Sequence, residues 1–287
     1  MLVLQGSAAT LTMSFTNDEV TAVPTSAVTV NVYDNDTNVL AQSGGTVANG
    51  SAWDYLLVPT GLALGIYRVE WTATFGAYSQ TVKNYVEVVG AFPCTLGEMR
   101  GTAPTLADAT KYPTSALVAA REAALDEFQA ILGFSLVPRG NRYVEDTEAA
   151  NGYWYRARAV QTPLGMVRKV TAVTDSAAFS ATVDLTKITV DKFGTIDYSI
   201  GFAGRVTVDY EHGLDVIPGD LKRAFLAYCA YRLHADRGNA VPERAESFTA
   251  AEGGTFRLAV AGRAGYKTGL PEVDAVLDRY TMKAGIY

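Results

Sequence analysis

Cysteine and histidine are scarce in this chain. Its 287 residues include two cysteines, Cys94 and Cys229, and two histidines, His212 and His234. A disulfide framework needs several paired cysteines, and the two histidines limit any metal site to two imidazoles. We therefore expect no disulfide scaffold, and we predict that both cysteines are small buried hydrophobic residues.

The scarcity of histidine also limits catalysis. His212 stands between Glu211 and Asp215 and could in principle ligate a divalent ion, but its position favours a turn histidine just after a strand. His234 lies near the end of a predicted helix, where a cation interacts favourably with the helix dipole. No nucleophile elbow is present, and no pair of carboxylates can be placed across a site. We predict that the protein is not an enzyme.

A nucleotide site is also not expected. The segment from Gly262 to Gly269, GRAGYKTG, superficially resembles a phosphate-binding loop. Its spacing is wrong by one residue, and Tyr266 replaces the second glycine of that motif. We expect neither a cofactor nor a metal.

Long hydrophobic runs and a strong basic charge are absent as well. No apolar run approaches the roughly 20 residues that span a bilayer, and the first residues lack the pattern of a secretory signal, so we expect no membrane association. The net charge is −6 and is uneven. Residues 1–90 hold two basic and seven acidic side chains, a net charge of −5, whereas the remainder is nearly balanced. This distribution is not a global nucleic-acid footprint.

Residues 1–90 show the period-two alternation of β-strands. In GIYRVEWTATF, Tyr67, Val69, Trp71 and Ala73 fall on one face, which predicts that Trp71 is a core residue. Several strands without a helix predict an all-β sandwich. The predicted strands are Ala9 to Phe15, Ala27 to Tyr33, Asp54 to Val58, Gly65 to Phe75 and Tyr78 to Val89. This pattern resembles the immunoglobulin-like modules of phage and bacterial surface proteins, without the cysteine pair of antibody domains.

The rest of the chain predicts an α+β domain. Residues 91–113 contain three prolines and two glycines and predict a linker, and the domain is expected over residues 114–287. Helices are predicted from Thr114 to Leu132, from Asp220 to Arg237 and from Pro271 to Tyr280. In the first of these helices, Arg121 is expected at the edge of the apolar face. A β insertion at about 134–210, with a turn at Lys192 to Gly194, and a hairpin within Ser247 to Val260 complete the prediction.

Three segments resemble the head-tail connector (adaptor) proteins of long-tailed bacteriophages. They are the helix from Thr114 to Leu132 followed by GFSLVPRGNRY, the segment VTVDYEHGLDVIPGDLKRAFLAYCAYRL, and AEGGTFRLAVAGRAGYKTGLPEVDAVLDRY. The resemblance covers about two thirds of the chain, from near Phe92 to its end. It implies a dodecameric ring that docks on the portal, extends the DNA channel, passes double-stranded DNA without sequence specificity, and receives a stopper or tail-completion protein. It also implies a location in the neck of the virion, after assembly in the host cytoplasm.

Eight residues are candidates for the subunit or portal interface of such a ring. Three share one face of a predicted strand, where a single-strand nucleic-acid platform is the alternative, because aromatic and Arg side chains suit both. Of the other five, two lie on the basic side of the helix predicted from Asp220 to Arg237. Two lie in a basic loop that could contact a partner or the DNA backbone, and one lies in the C-terminal segment. The eight are Trp154, Arg156, Arg158, Lys222, Arg223, Arg263, Lys267 and Tyr287.

The alternative function is of another class. The chain could be a monomeric adhesion or carbohydrate-binding protein that acts through its immunoglobulin-like part. The sequence alone identifies no residues of a sugar site.

Overall fold

The computed structural model describes residues 1–17, 20–147, 157–176, 181–235, 247–249, 255–257 and 267–281. The chain is multidomain, with extensive β-sheet in its N-terminal part and helices later. No helix in the described part of the chain is long and apolar enough to cross a membrane.

Two main sheets build the N-terminal part. One has five strands in the order β1-β10-β9-β5-β6, and the other has three in the order β2-β8-β7; a short ribbon pairs β3 with β4. The five strands predicted from the sequence are confirmed, whereas β1, β6, β7 and the ribbon were not predicted. The strands are β1 (Leu2–Leu4), β2 (Ala9–Ser14), β3 (Thr16–Asn17), β4 (Val20–Thr21), β5 (Thr29–Asp34), β6 (Leu40–Gly45), β7 (Val47–Asn49), β8 (Ala52–Leu57), β9 (Gly65–Phe75) and β10 (Tyr78–Val89).

The core of this part contains side chains from both sheets. Trp71 on β9 is buried, as predicted, and its ring meets that of Tyr55 on β8 edge to face, with centroids 6.4 Å apart. Tyr67, Val69 and Ala73 are buried beside it on the same face of β9. The alternating pattern of this strand therefore predicted the buried face correctly.

Helices form a second core. They are α1 (Leu96–Thr102), α2 (Thr114–Leu132), α3 (Gly219–Ala235) and α4 (Pro271–Tyr280). Phe128 of α2 packs edge to face on Phe225 of α3, with centroids 5.2 Å apart. The predicted ends of α2 are confirmed: Gly133 takes the left-handed conformation, φ 78°, and its N–H donates to the carbonyl of Gln129. Pro271 begins α4, as predicted.

The segment 91–113 differs from its predicted role as a linker. It forms α1 and a one-turn 3-10 helix at Pro104–Ala107. Thr95 caps α1 in a capping box with Glu98. Met99, Leu106 and Tyr112 are buried in the helical core. Both glycines of the segment lie within α1, and these apolar anchors, which follow no regular period, bind the segment to the core.

Arg121 also differs from its predicted place at the edge of α2. Its side chain is buried, and its guanidinium lies 3.9 Å from the centroid of the Phe92 ring. One of its N–H groups donates to the carbonyl of Cys94, at 3.3 Å. Stacking and one backbone acceptor stabilise the buried cation.

A β module lies between α2 and α3, as predicted. Its strands are β11 (Arg139–Asp146), β12 (Ala157–Gln161), β13 (Val167–Asp175), β14 (Ala181–Thr182), β15 (Ile188–Val190), β16 (Thr195–Phe202) and β17 (Arg205–His212). A four-stranded sheet has the order β11-β17-β13-β14 and a three-stranded sheet the order β12-β16-β15. The turn at Lys192 to Gly194 is confirmed, but β11 and β14 were not predicted.

A short hairpin follows α3, as predicted. It pairs β18 (Ser247–Thr249) with β19 (Thr255–Arg257).

The N-terminal sheet docks directly on β11. The N–H of Gly90 donates to the carbonyl of Pro138, at 2.9 Å. A Cβ built on Gly140 would lie 1.9 Å from the carbonyl oxygen of Leu64, so two backbones touch here without a side chain between them. Only glycine permits this approach.

Candidate interaction surfaces

The structure describes half of the predicted interface residues. Arg158, Lys222, Arg223 and Lys267 lie in described segments, whereas Trp154, Arg156, Arg263 and Tyr287 lie outside the described residues. The four described residues belong to different elements. Arg158 belongs to the β module, whereas Lys222 and Arg223 lie on α3 and Lys267 precedes α4.

Arg158 is on the surface of the three-stranded sheet. Its side chain is 83% exposed, and its Nε lies 3.6 Å from the carboxylate of Asp197 on the neighbouring strand β16. An ion pair with this exposure contributes little to stability. The side chain is therefore accessible to a partner.

Lys222 and Lys267 are both engaged within the chain. The Lys222 Nζ lies 2.6 Å from the Glu98 carboxylate and connects α3 to α1. This hydrogen bond holds the pKa of Glu98 below its ordinary value. The Lys267 Nζ lies 2.7 Å from the Asp278 carboxylate on α4. Both lysines join elements of the same chain. The sequence could not indicate the first pair, since Glu98 lies 124 residues from Lys222.

Arg223 lies on the solvent-facing side of α3. Arg223, Ala227 and Tyr231 follow one another at intervals of four residues, so they share a stripe on that helix. Tyr231 is 40% exposed and stacks on Tyr228, with centroids 6.3 Å apart. Val216, in the loop before α3, is 83% exposed. We call Arg223, Ala227 and Tyr231 the α3 stripe.

The first turn of α3 fixes the position of α4. The Asp220 carboxylate accepts from the Leu221 N–H at 2.9 Å and from the Tyr280 hydroxyl at 2.8 Å. Its other oxygen lies 3.1 Å from the Arg279 guanidinium. The hydrogen bond from Tyr280 is the main reason that the pKa of Asp220 is lowered. Asp220 therefore ties α3 to α4.

Near His212, the side chain of Arg168 forms ion pairs with two carboxylates of the same chain. Arg168 pairs with Glu211 at 3.1 Å and with Asp215, its Nε 2.9 Å from that carboxylate. His212, the last residue of β17, is buried, and burial lowers its pKa to about 4. No group of three or more potential metal ligands occurs among the described residues.

An open groove borders this cluster. Its volume is about 550 Å³. The lining carries charges of both signs, and two of its cations, Lys169 and Lys192, have exposed side chains. Met166 adopts a left-handed conformation, φ 56°, at its edge. The groove residues are Met166, Val167, Arg168, Lys169, Lys192, Glu211, Gly213, Leu214 and Asp215.

Comparisons with known proteins give no family. No family model matches the chain, and no curated protein matches it. Among solved structures, one match is the crystal structure of an engineered protein from the Northeast Structural Genomics Consortium, with 21% identity and a TM-score of 0.24. The match covers 30% of this chain and spans 17% of that protein, and a likeness of this size carries no conclusion about fold or function.

Proposed function

We propose that this protein is a non-enzymatic structural subunit of a bacteriophage neck, the adaptor ring between the portal and the stopper or tail-completion protein. In this proposal residues 1–90 form an immunoglobulin-like sandwich and residues 114–287 form the adaptor domain. The ring is dodecameric and extends the channel through which double-stranded DNA passes without sequence specificity. The sequence resemblance described above motivates the proposal, and the α3 stripe is the observation that carries it.

A ring of identical subunits needs two unlike patches that complement each other, because each contact is heterologous. Arginine and tyrosine are enriched in protein interfaces and dominate their binding energy. In the α3 stripe these two side chains flank Ala227, which is half-buried against the helical core of its own chain. The opposite face of α3 is buried in the subunit core, with Leu221 and Phe225 fully covered.

Intramolecular pairing distinguishes the candidates. Lys222 and Lys267 are held by carboxylates of their own subunit. To bind a partner, either lysine would have to break its ion pair, which costs free energy. Arg223 is exposed and has no such pair to break within the described part of the chain. Arg223 and Tyr231 are therefore the residues on which we expect ring contacts to depend.

Native mass spectrometry and negative-stain imaging test the proposal. The purified chain is measured alone and mixed with the portal protein of the same virus. We expect rings, or a complex that forms only with the portal. A strict monomer that ignores the portal would contradict the proposal.

Matched variants locate the contact. Arg223→Glu combined with Tyr231→Ala should abolish the ring or the portal complex. Arg205→Glu, a charge reversal at an exposed arginine that is not among the candidate interface residues, should preserve it. Assembly that survives the first change would show that the α3 stripe is not the contact.

A further inference from the structure

The outer face of the five-stranded sheet carries polar side chains that are exposed or half-buried. On β5, β9 and β10 the inward side chains, such as Val30, Val69 and Val86, are buried. The outward side chains lie in register across the three strands and are exposed or half-buried. We call them the sheet platform. It has three rows: Tyr33, Arg68 and Tyr85; Asn31, Glu70 and Lys83; and Thr29, Thr72 and Thr81.

The first row places a cation between two phenol rings. The Arg68 guanidinium lies 5.0 Å from the centroid of the Tyr33 ring. One of its N–H groups donates to the side-chain carbonyl of Asn38, at 2.5 Å. Tyr85 stands opposite Arg68 on the next strand and is 55% exposed. Neighbouring strands are about 4.8 Å apart, so the row spans about 10 Å, comparable with a disaccharide.

The second row extends this surface with paired polar groups. Glu70 accepts from the Arg68 Nε–H at 2.9 Å and lies 3.4 Å from the Lys83 ammonium. In the third row the hydroxyls of Thr72 and Thr81 are 3.1 Å apart. These contacts hold donors and acceptors in fixed positions beside the rings.

We propose that the sheet platform binds a neutral carbohydrate. A pyranose ring presents an apolar C–H face, which can stack on an exposed phenol, and hydroxyls at its edge, which can both donate and accept hydrogen bonds. Tyr85 supplies the stacking ring, with Tyr33 at the other end of the row. Arg68 and Glu70 supply a donor and an acceptor between them, already oriented by their own contact.

Other ligand classes fit the platform less well. The centres of protein interfaces are depleted in Lys and Glu, yet Lys83 and Glu70 occupy the middle row. A polyanion such as a nucleic acid or an acidic glycan would be repelled by the net charge of −5 on residues 1–90. A neutral glycan encounters neither obstacle. This inference concerns an activity beyond the proposed neck ring and does not depend on ring formation.

Affinity electrophoresis of the full chain tests the inference. Native gels contain dextran, mannan or arabinogalactan as neutral probes, or alginate as an anionic probe. We expect at least one neutral polysaccharide to retard the wild-type chain. Tyr85→Ala and Glu70→Gln should each weaken that retardation about tenfold, since a central aromatic or charged contact dominates a small binding site.

Tyr78 provides the matched control. It lies on the same strand and is 60% exposed, but it stacks on Phe75 away from the three rows. Tyr78→Ala should leave the retardation unchanged, and Tyr85→Ala, whose side chain is 55% exposed, should unfold near the wild-type temperature. The inference is overturned if no neutral polysaccharide retards the chain, if alginate alone does so, or if Tyr78→Ala and Tyr85→Ala have equal effects. Self-association that Tyr85→Ala abolishes, without glycan binding, would assign the platform to a protein partner instead.

Discussion

The guanidinium of Arg139 lies 3.0 Å from the carboxylate of Glu87, and this ion pair joins the N-terminal sheet to β11. Arg139 also contacts α2, where it lies 3.0 Å from the Asp126 carboxylate and donates to the Gln129 side chain at 2.8 Å. Its side chain is 8% exposed. One buried cation therefore connects three parts of the molecule.

Replacing Arg139 by Met should destabilise the protein by about 3 kcal/mol. Removing one partner of a buried ion pair leaves the other charge without compensation, and Glu87 stays in place when Arg139 is lost. The free energy of unfolding from urea titrations measures this. The matched control is Arg158→Met, which removes an arginine that is 83% exposed and should change stability by no more than about 0.5 kcal/mol. Equal effects of the two changes would contradict the role given to Arg139.

Gly140→Ala should destabilise the protein by about 1–3 kcal/mol, the usual cost of forcing atoms into a packed region. The new methyl group would meet the Leu64 carbonyl, which is backbone and cannot rotate away. Gly101→Ala is the control, because a Cβ there meets no atom within 4 Å and the residue lies in α1. Alanine at that helical site should raise the unfolding temperature slightly. A neutral Gly140→Ala would show that the two backbones can separate.

Acid should weaken the fold through His212. Burial, with the nearby charge of Arg139, lowers the pKa of His212 from 6.5 to about 4. The stability contributed by neutral His212 is therefore complete above pH 6.5 and is lost as the pH falls through about 4. The full shift corresponds to about 3 kcal/mol. Stability measured between these pH values should decline more steeply for the wild type than for His212→Gln.

Glu87 changes the stability of the fold with pH in the opposite direction. Burial raises the pKa of its carboxyl, so the stability from that group is present at low pH and is lost as the pH rises through its folded pKa. The difference between the wild type and His212→Gln isolates the histidine, because Glu87 is common to both. Identical slopes in the two proteins would contradict the buried, neutral state of His212.

Both thiols should be unreactive in the folded protein. Cys94 and Cys229 are free and buried, and burial raises the pKa of Cys94 to about 11 and that of Cys229 above its ordinary value. Only the thiolate attacks a disulfide reagent. Reaction with an aromatic disulfide should be at least about a thousandfold slower in buffer than in urea, since it requires unfolding. Rapid release of the coloured thiol from the native protein would contradict the burial of these residues.

Local patterns predicted the regular elements well. The apolar spacing between Thr114 and Gly133 predicted α2 at its observed ends, and alternation around Trp71 predicted the buried face of β9. The prediction for Arg121 was wrong because a charged residue on an apolar stripe usually lies at the edge of the buried face. Its burial depends on stacking with Phe92, which lies 29 positions earlier in the chain. Segment 91–113 was misassigned for a similar reason, since its anchors have no period.

Candidate contacts were less predictable than elements. The sequence places Lys222 and Arg223 side by side, and only the fold distinguishes them, because α1 brings Glu98 to Lys222 and leaves Arg223 exposed. The sheet platform was not predicted either. Its rows join residues of three strands that are as far as 52 positions apart, and their register is fixed by strand pairing rather than by any local motif.

The contact of Gly140 with the Leu64 carbonyl, together with the Arg139 ion pairs, has a mechanical consequence. A flexible tether would stretch and absorb force, whereas backbone packed on backbone and a buried charge shared by three elements form a stiff connection. We therefore expect the N-terminal sheet and α2 to move together as one body.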